Sequence, residues 1–192
     1  MGLEYELKFS ADPAVQAQIQ KTVGTDWVEY TMRTTYYDAA DGALSARKWT
    51  LRHRLENGTH VCTLKTPAGD ARGEWEVECQ RIEDAVERLC KLGAPSELRE
   101  LTSKGVQAVC GARFTRLAAT VEAENAVLEV ALDSGVLFAG ERQEPLCEVE
   151  VELKSGNRAA ADRFALEMAQ EYGLRTLHAS KFKRALALRE EA

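Results

Sequence analysis

Alternation of apolar and polar residues along the chain predicts eight β-strands. Such runs place successive side chains on opposite faces of a strand, and turn residues separate them. Asn57 and Gly58 form the dipeptide favoured in tight hairpin turns, so the third and fourth strands are expected to pair. The strands are predicted near residues 3–9, 30–38, 47–55, 60–66, 72–80, 112–122, 126–133 and 145–154.

Four or five helices are predicted in the gaps between these strands. The first has Asp12 as its N-cap, Pro13 at its first position and Gly24 as its stop. The others are expected over 83–110, between the cap Asn157 and the stop Gly173, and in the closing SKFKRALALREEA.

This order of elements indicates an α+β protein whose sheet is mainly antiparallel. Eight strands can close into a barrel that holds side chains or one small ligand. The sequence therefore predicts an eight-stranded antiparallel β-barrel, or tunnel, with helices packed outside. No low-complexity linker or fixed-period repeat divides residues 1–192, so a single domain is expected.

Composition narrows the class of partner. The formal charge of −6 argues against general nucleic-acid binding, because phosphate backbones favour basic proteins. The sequence has no apolar run of membrane-spanning length and no signal-like leader, so a cytoplasmic protein without membrane contact is expected. Five scattered cysteines without CxxC spacing suggest neither a disulfide framework nor a zinc cluster.

Charged residues on the predicted strands are sorted by sign. A charged face on one strand alone is typical of a solvated surface, but here whole strands differ in sign. If the apolar faces turn outward under the helices, the charged faces line a lumen with an acidic and a basic wall. Acids dominate the first, fifth and eighth strands (Glu4, Glu6; Glu74, Glu76, Glu78; Glu148, Glu150, Glu152), and bases the third and fourth (Lys48, Arg52, Arg54; Lys65).

Such a lumen suits a polyphosphate. Mg²⁺ and Mn²⁺ prefer carboxylate oxygens and keep open positions for phosphate and water. Arginine and lysine bind phosphate oxygens, arginine often through two bonds. Phosphoryl transfer to water depends mainly on positioning and charge neutralisation, so this arrangement favours hydrolysis of a phosphoanhydride.

The motifs of the chain resemble, in order, those of the CYTH superfamily, the triphosphate tunnel metalloenzymes. The N-terminal EYELK fits the ExExK signature, which alone is a weak signal, whereas the ordered set is specific. The further matching segments are YYD (36–38), LRHR (51–54), TLK (63–65), RGEWE (72–76), LEVALDSG (128–135), CEVEVELKSG (147–156) and SK (180–181).

The resemblance implies a tunnel that binds a triphosphate together with Mg²⁺ or Mn²⁺. It assigns three groups of residues by their match to the family motifs. The metal ligands would be Glu4, Glu6, Asp133, Glu148 and Glu150; the phosphate-binding residues Lys8, Arg52, Arg54, Lys65, Arg116 and Lys181; and the catalytic residues Lys8, Glu74 and Glu76, the two acids positioning or activating water.

Several side chains keep two interpretations. Arg113 and Arg116 have opposite strand parity, so only one is expected in the lumen, and the resemblance favours Arg116. Glu129 is either a lumen partner or part of a salt bridge, and Glu152 either a ligand or a solvated charge at the mouth. Arg184 is expected on a helix surface.

The resemblance makes inorganic tripolyphosphate the leading substrate, cleaved to pyrophosphate and phosphate. LEVALDSG and EPLCEVEVELKSG are most similar to the bacterial inorganic triphosphatases. Trp27 could stack on a thiazole and keeps thiamine triphosphatase open; class IV adenylyl cyclase is the other enzymatic alternative. A non-catalytic module binding polyphosphate or nucleotide is the alternative of another class. Either a monomer or a homodimer is compatible with the sequence.

Overall fold

The computed structural model describes residues 2–23 and 26–189, and its strands belong to one antiparallel sheet. The strands are β1 (Gly2–Glu4), β2 (Glu6–Ser10), β3 (Val28–Asp38), β4 (Thr50–Glu56), β5 (Thr59–Ala68), β6 (Ala71–Glu78), β7 (Gln107–Ala123), β8 (Ala126–Ala139), β9 (Arg142–Gly156) and β10 (Arg175–Thr176). The helices are α1 (Pro13–Thr22), α2 (Ala43–Ala46), α3 (Ile82–Lys91), α4 (Glu97–Leu101), α5 (Arg158–Tyr172) and α6 (Lys181–Ala187).

The N-terminal segment closes this sheet into a tunnel. The strand order is β1-β6-β5-β4-β3-β7-β8-β9-β2-β10, so β1 and β2 lie at opposite ends although only Tyr5 separates them in the chain. One continuous segment therefore pairs with β6 on one side and β9 on the other. The α+β class and the antiparallel tunnel are confirmed.

The strand count differs from the prediction because the first strand is broken. Tyr5 interrupts it, and the Tyr5 carbonyl accepts a bond from the Leu153 N–H at 2.9 Å. Its side chain points outward, where the Arg158 guanidinium lies 4.0 Å from the ring centroid. If β1 and β2 are taken together and the two-residue β10 is set aside, the ring has the eight predicted strands.

Two predicted boundaries need correction. The helical segment expected over 83–110 contains α3 and α4, but strand β7 already begins at Gln107, because residues 107–110 pair with β3. Pairing with a neighbouring strand overrides the helical pattern there. The third strand begins at Thr50 rather than near residue 47, and Lys48 lies before it with a φ of 58°. Lys48 is therefore not part of the basic strand face.

Most predicted turns and caps are confirmed. Asn57 and Gly58 have φ values of 46° and 91° and form a two-residue hairpin turn between β4 and β5. Asp12 caps α1, Asn157 caps α5, and Gly173 ends α5 with a φ of 65°. The predicted stop at Gly24 lies outside the described residues.

Two apolar clusters cover the outer face of the tunnel. One lies under α1 and α5, where Ile19, Val149 and Val151 are fully buried. The other lies under α2, α3 and α4, with Leu51 and Leu64 at its centre. Each fully buried side chain of this size contributes about 1.5–3 kcal/mol to folding. The apolar strand faces therefore point outward, as the sequence indicates, and the charged faces point inward.

Helix α6 departs from the prediction that all helices pack outside. Its Phe182 and Ala185 pack in a third cluster with Phe114, Leu137 and Leu146. Strand parity puts these three on the same faces as Arg116, Asp133 and Glu148, respectively, which is the inner side. Helix α6 therefore lies against the inner wall at one end of the tunnel. Among the described helices, none is both long and apolar enough to cross a membrane.

Candidate active site

The tunnel encloses a cavity lined mainly by charged side chains. At about 250 Å³ it is smaller than most pockets for drug-sized ligands, so it suits a compact ligand. Eleven of the thirteen predicted site residues line it, whereas Asp133 and Glu148 are fully buried on the inner face and do not reach the cavity. Those eleven are Glu4, Glu6, Lys8, Arg52, Arg54, Lys65, Glu74, Glu76, Arg116, Glu150 and Lys181.

The basic wall comes from strands β4 and β5. Arg54 donates from Nε to the Thr34 hydroxyl at 3.1 Å. Burial, together with the neighbouring Arg52 and Arg116, lowers the pKa of Arg54 to about 10, which leaves it charged at neutral pH. Mutually repelling cations of this kind form a strong binding site for an anion.

Arg52 and Lys65 reach across to acids on the neighbouring strands. Arg52 Nη2 lies 3.8 Å from Glu74 and 3.6 Å from Glu76, while its buried Nε has no hydrogen-bond partner among the described residues. Lys65 contacts Glu4 closely and lies 3.2 Å from Glu74. The positive charge of the basic wall is thus partly neutralised, and the buried Nε of Arg52 remains available for a ligand as far as the described residues go.

Arg72 is a lumen cation that the sequence assignment missed. It lines the cavity and donates to the Thr50 hydroxyl at 3.1 Å. Burial lowers its pKa, although Glu4 and Glu6 act in the opposite direction. The signal was present in the sequence, because Arg72 shares strand parity with Glu74.

Three carboxylates form a deep cluster at the acidic wall: Asp133, Glu148 and Glu150. One oxygen from each lies within 4.8 Å of the others, and all three residues are buried. The Lys181 ammonium lies among them, 2.7 Å from Asp133, 2.8 Å from Glu150 and in close contact with Glu148. The donor set is of the kind that holds a divalent cation, and in this structure lysine supplies the positive charge.

Two arginines complete the neutralisation of the deep cluster. Arg116 binds Asp133 through two bonds of 2.8 Å and also contacts Glu150. Arg184 donates to Glu148 at 2.8 Å. Arg184 is therefore not the helix-surface cation expected from the sequence. With Lys181, these arginines balance three negative charges with three positive ones.

This pairing separates the pKa values of the three acids. Burial alone would raise the pKa of Asp133, but Lys181 and Arg116 outweigh it and hold that pKa below its usual value. The same opposition places the pKa of Glu150 well below its usual value. For Glu148, burial wins over Lys181 and raises the pKa.

Glu4 and Glu6 line the cavity but do not belong to the deep cluster. Glu4 is buried and contacts Lys65, whereas its Oε2 has no hydrogen-bond partner among the described residues. Glu6 accepts from Lys8 at 2.7 Å. Burial lowers the pKa of Lys8, but Glu6 and Glu150 together hold that pKa above its usual value. The structure therefore brings together three of the five predicted metal ligands and pairs the other two with lysines.

The structure places the arginines and glutamates whose positions the sequence left open. Arg116 faces the lumen, while Arg113 is exposed, with its guanidinium 5.0 Å from the Phe138 ring centroid. Glu129 and Glu152 both line the cavity and pair with Lys154 at 3.5 and 3.0 Å. Both acids therefore combine a lumen position with a salt bridge.

Trp27 does not face the cavity. Its Nε1 donates to the Gln20 carbonyl on α1 at 3.0 Å, and its ring packs on the outer cluster under α1 and α5. The aromatic side chains along the cavity are Tyr30, Tyr36 and Phe182. The suggestion that Trp27 stacks on a thiazole is therefore wrong.

The sequence of this chain is similar to those of known proteins. A model of the CYTH domain matches residues 2–186. An inorganic triphosphatase of Haemophilus influenzae is 30% identical over 96% of this chain and 54% of its own length. The chain thus spans about half the length of this curated relative.

Solved structures share the fold at low sequence identity. A Pyrococcus horikoshii OT3 protein has a TM-score of 0.67 and 22% identity, covering 96% of this chain and 98% of that one. A Hippeastrum protein, described as a candidate adenylyl cyclase with a dominant triphosphatase activity, has a TM-score of 0.61 and 16% identity, covering 97% and 95%. At these identities the likeness concerns the fold alone.

Proposed function

This chain belongs to the CYTH domain family, and we propose that it hydrolyses inorganic tripolyphosphate to pyrophosphate and phosphate with a divalent metal ion. One observation carries the proposal. Arg52 Nε and Glu4 Oε2 are buried polar atoms that have no hydrogen-bond partner within residues 2–23 and 26–189, and both residues line the same cavity. Buried polar groups are normally satisfied. An unused arginine donor fits a phosphate oxygen, and an unused carboxylate oxygen fits a metal ion.

The residues of the acidic wall fit a divalent cation. Glu4, Glu6, Asp133, Glu148 and Glu150 would hold Mg²⁺ or Mn²⁺, because both prefer carboxylate oxygens. When bound, the metal would neutralise charge on the phosphate oxygens. Lys181 now supplies positive charge in the deep cluster, so metal binding has to compete with its ammonium for the carboxylates.

The cations of the lumen would bind and orient the phosphates. The present acid–base pairs can exchange partners, so that cations turn to phosphate oxygens while carboxylates turn to the metal. Glu76, which accepts from the Thr63 hydroxyl at 2.9 Å, and Glu74 would orient the attacking water or accept its proton. The phosphate-binding set is Lys8, Arg52, Arg54, Lys65, Arg116 and Lys181, to which we add Arg72.

A substrate made only of phosphates should be preferred. A lumen rich in charge gains its binding energy from phosphate oxygens, and Trp27 does not supply a stacking surface there. We expect kcat/KM for tripolyphosphate to exceed those for thiamine triphosphate and ATP by at least about tenfold, or about 1.4 kcal/mol. Phosphate release from all three with Mg²⁺ or Mn²⁺, alongside a cyclic AMP assay, measures this.

Each other outcome identifies a different function. Preference for thiamine triphosphate would make the chain a thiamine triphosphatase, and cyclic AMP as the main product from ATP would make it a cyclase. Tight binding of tripolyphosphate without phosphate release would leave a non-catalytic binding module. Any of these three results contradicts the proposed activity.

The basic wall can be tested by Arg52→Ala. Loss of a charge-assisted contact worth roughly 1.5–3 kcal/mol predicts a rise of about 10- to 150-fold in the dissociation constant for tripolyphosphate. Binding should also become less sensitive to salt, since one ionic contact is gone. Calorimetric titration at two salt concentrations measures both quantities.

Arg113→Ala is the matched control for this variant. Arg113 is an exposed arginine on the outer face of β7, so its removal should leave tripolyphosphate binding unchanged. Equal effects of the two substitutions would show that net charge, and not the lumen, governs binding.

A further inference from the structure

Gln16 lies on α1 outside the tunnel, yet its side chain binds the backbone behind the deep cluster. Its Nε2 donates to the carbonyl of Asp133 at 3.0 Å and to that of Glu148 at 2.9 Å. Its Oε1 accepts from the Ser134 hydroxyl. The residue is only 7% exposed. A glutamine amide has two N–H donors, so both are used on the backbone of two predicted metal ligands.

The orientation of this amide follows from its partners. Carbonyl oxygens only accept hydrogen bonds, so the nitrogen of Gln16 has to face them. Asp133 and Glu148 are directly opposite each other in the β8–β9 register. Directly opposite side chains on one sheet face have Cβ atoms about 4.5–5.5 Å apart, and like charges there repel. A single amide that binds both carbonyls opposes local separation of the two strands.

Helix α1 does not depend on Gln16 for its attachment. Ile19 is fully buried in the outer cluster, and Val15 packs against the same cluster. Asp12 caps the helix through a bond from the Val15 N–H at 2.9 Å. The polar contacts of Gln16 are therefore separable from the packing that holds α1 on the sheet.

We propose that Gln16 is a positioning residue that sets the spacing of the Asp133 and Glu148 carboxylates, and thereby the affinity of the deep cluster for a divalent cation. Gln16 touches neither substrate nor metal; it acts through the backbone of the residues that do. The inference rests on the proposed metal-dependent function. Groups that orient metal ligands typically change metal affinity or activity by 10- to 100-fold when they are removed.

The test compares Gln16→Met with two variants of the same helix. Methionine keeps the length and bulk of glutamine but cannot donate to the carbonyls. Gln18→Met makes the same change at an exposed position, and Ile19→Val loosens the packing of α1 without touching the amide. Calorimetric titration of the substrate-free full chain with Mn²⁺ gives metal affinity, and steady-state kinetics with tripolyphosphate give kcat and KM.

We expect Gln16→Met to raise the Mn²⁺ dissociation constant and to lower kcat, each by about tenfold, with KM within about twofold of wild type. Both controls should retain wild-type metal affinity. Should Gln16→Met fail to fold, Gln16→Asn, which keeps the amide but shortens its reach, should show the same weakening of Mn²⁺ binding.

Two results would overturn the inference alone. One is wild-type Mn²⁺ affinity and kcat in both Gln16 variants; the other is an equal loss in Ile19→Val, which would assign the effect to helix packing. A wild-type chain that neither binds Mn²⁺ nor releases phosphate would instead overturn the proposed function, and this inference with it.

Discussion

Glu150→Gln is expected to abolish metal-supported turnover in a protein that still folds. Of the three carboxylates in the deep cluster, Glu150 alone lines the cavity, so it connects the cluster to the lumen. It accepts from Lys181 at 2.8 Å and contacts Arg116. Glutamine keeps the size and one accepting oxygen but removes the negative charge that a metal requires. We expect kcat/KM to fall by at least about 100-fold, or about 2.7 kcal/mol.

Glu144→Gln provides the control for this variant. Glu144 lies on the same strand and pairs with Arg184 at 2.8 Å, but it does not line the cavity. Its substitution should leave turnover within about twofold of wild type, because the Glu144 side chain is partly exposed to solvent and Arg184 keeps its bond to Glu148. Circular dichroism establishes folding, and phosphate release at saturating Mg²⁺ measures turnover. Equal activity in the two variants would contradict the metal role of Glu150.

Removal of divalent metal should have an effect at least as large. The lumen holds more carboxylates than the deep cluster alone, since Glu4, Glu6, Glu74 and Glu76 also line the cavity. A polyphosphate that enters without metal meets these negative charges directly, and Coulomb repulsion at a few ångströms is strong in a partly buried site. We expect phosphate release to fall below detection after exhaustive chelation.

Restoration by metal distinguishes this effect from damage to the protein. Activity should return on addition of Mg²⁺ or Mn²⁺ in excess of the chelator, and Na⁺ at equal ionic strength should not restore it. Undiminished turnover in the chelated protein would contradict the proposal that the five carboxylates bind a metal ion.

The sequence predicts the tunnel well because two signals coincide. Alternation places strand residues on faces, and the sorting of charge by strand shows which face points inward, as for Arg52 and Glu74. Strand parity also implies that only one of Arg113 and Arg116 can be a lumen residue. These features are local in the chain and need no knowledge of tertiary contacts.

What the sequence could not predict depends on contacts distant in the chain. The break at Tyr5 exists because one segment has to pair with two different strands. Arg184 reaches Glu148 only because α6 packs against the inner wall, which no helical pattern specifies. Gln16 is one of several glutamines on α1, and the role proposed for it depends on its bonds to the β8–β9 backbone, which the helical pattern does not specify.

The lysine partners of Glu4 and Glu6 could not be predicted from the sequence either. Both acids carry a family motif that groups them with Glu148 and Glu150, yet here they contact Lys65 and Lys8. Under the proposed function, both carboxylates would exchange these lysine contacts for a metal ion when substrate and metal bind. A sequence motif identifies the candidate ligand without specifying which of these partners it contacts.

The most direct measurement is ³¹P nuclear magnetic resonance of tripolyphosphate incubated with the wild-type chain and Mg²⁺. We expect the tripolyphosphate signals to disappear and pyrophosphate and phosphate to appear in equal amounts, with no reaction in a chelated sample or with Glu150→Gln. Persistence of intact tripolyphosphate in the presence of Mg²⁺ and the folded wild-type protein would contradict the proposed function.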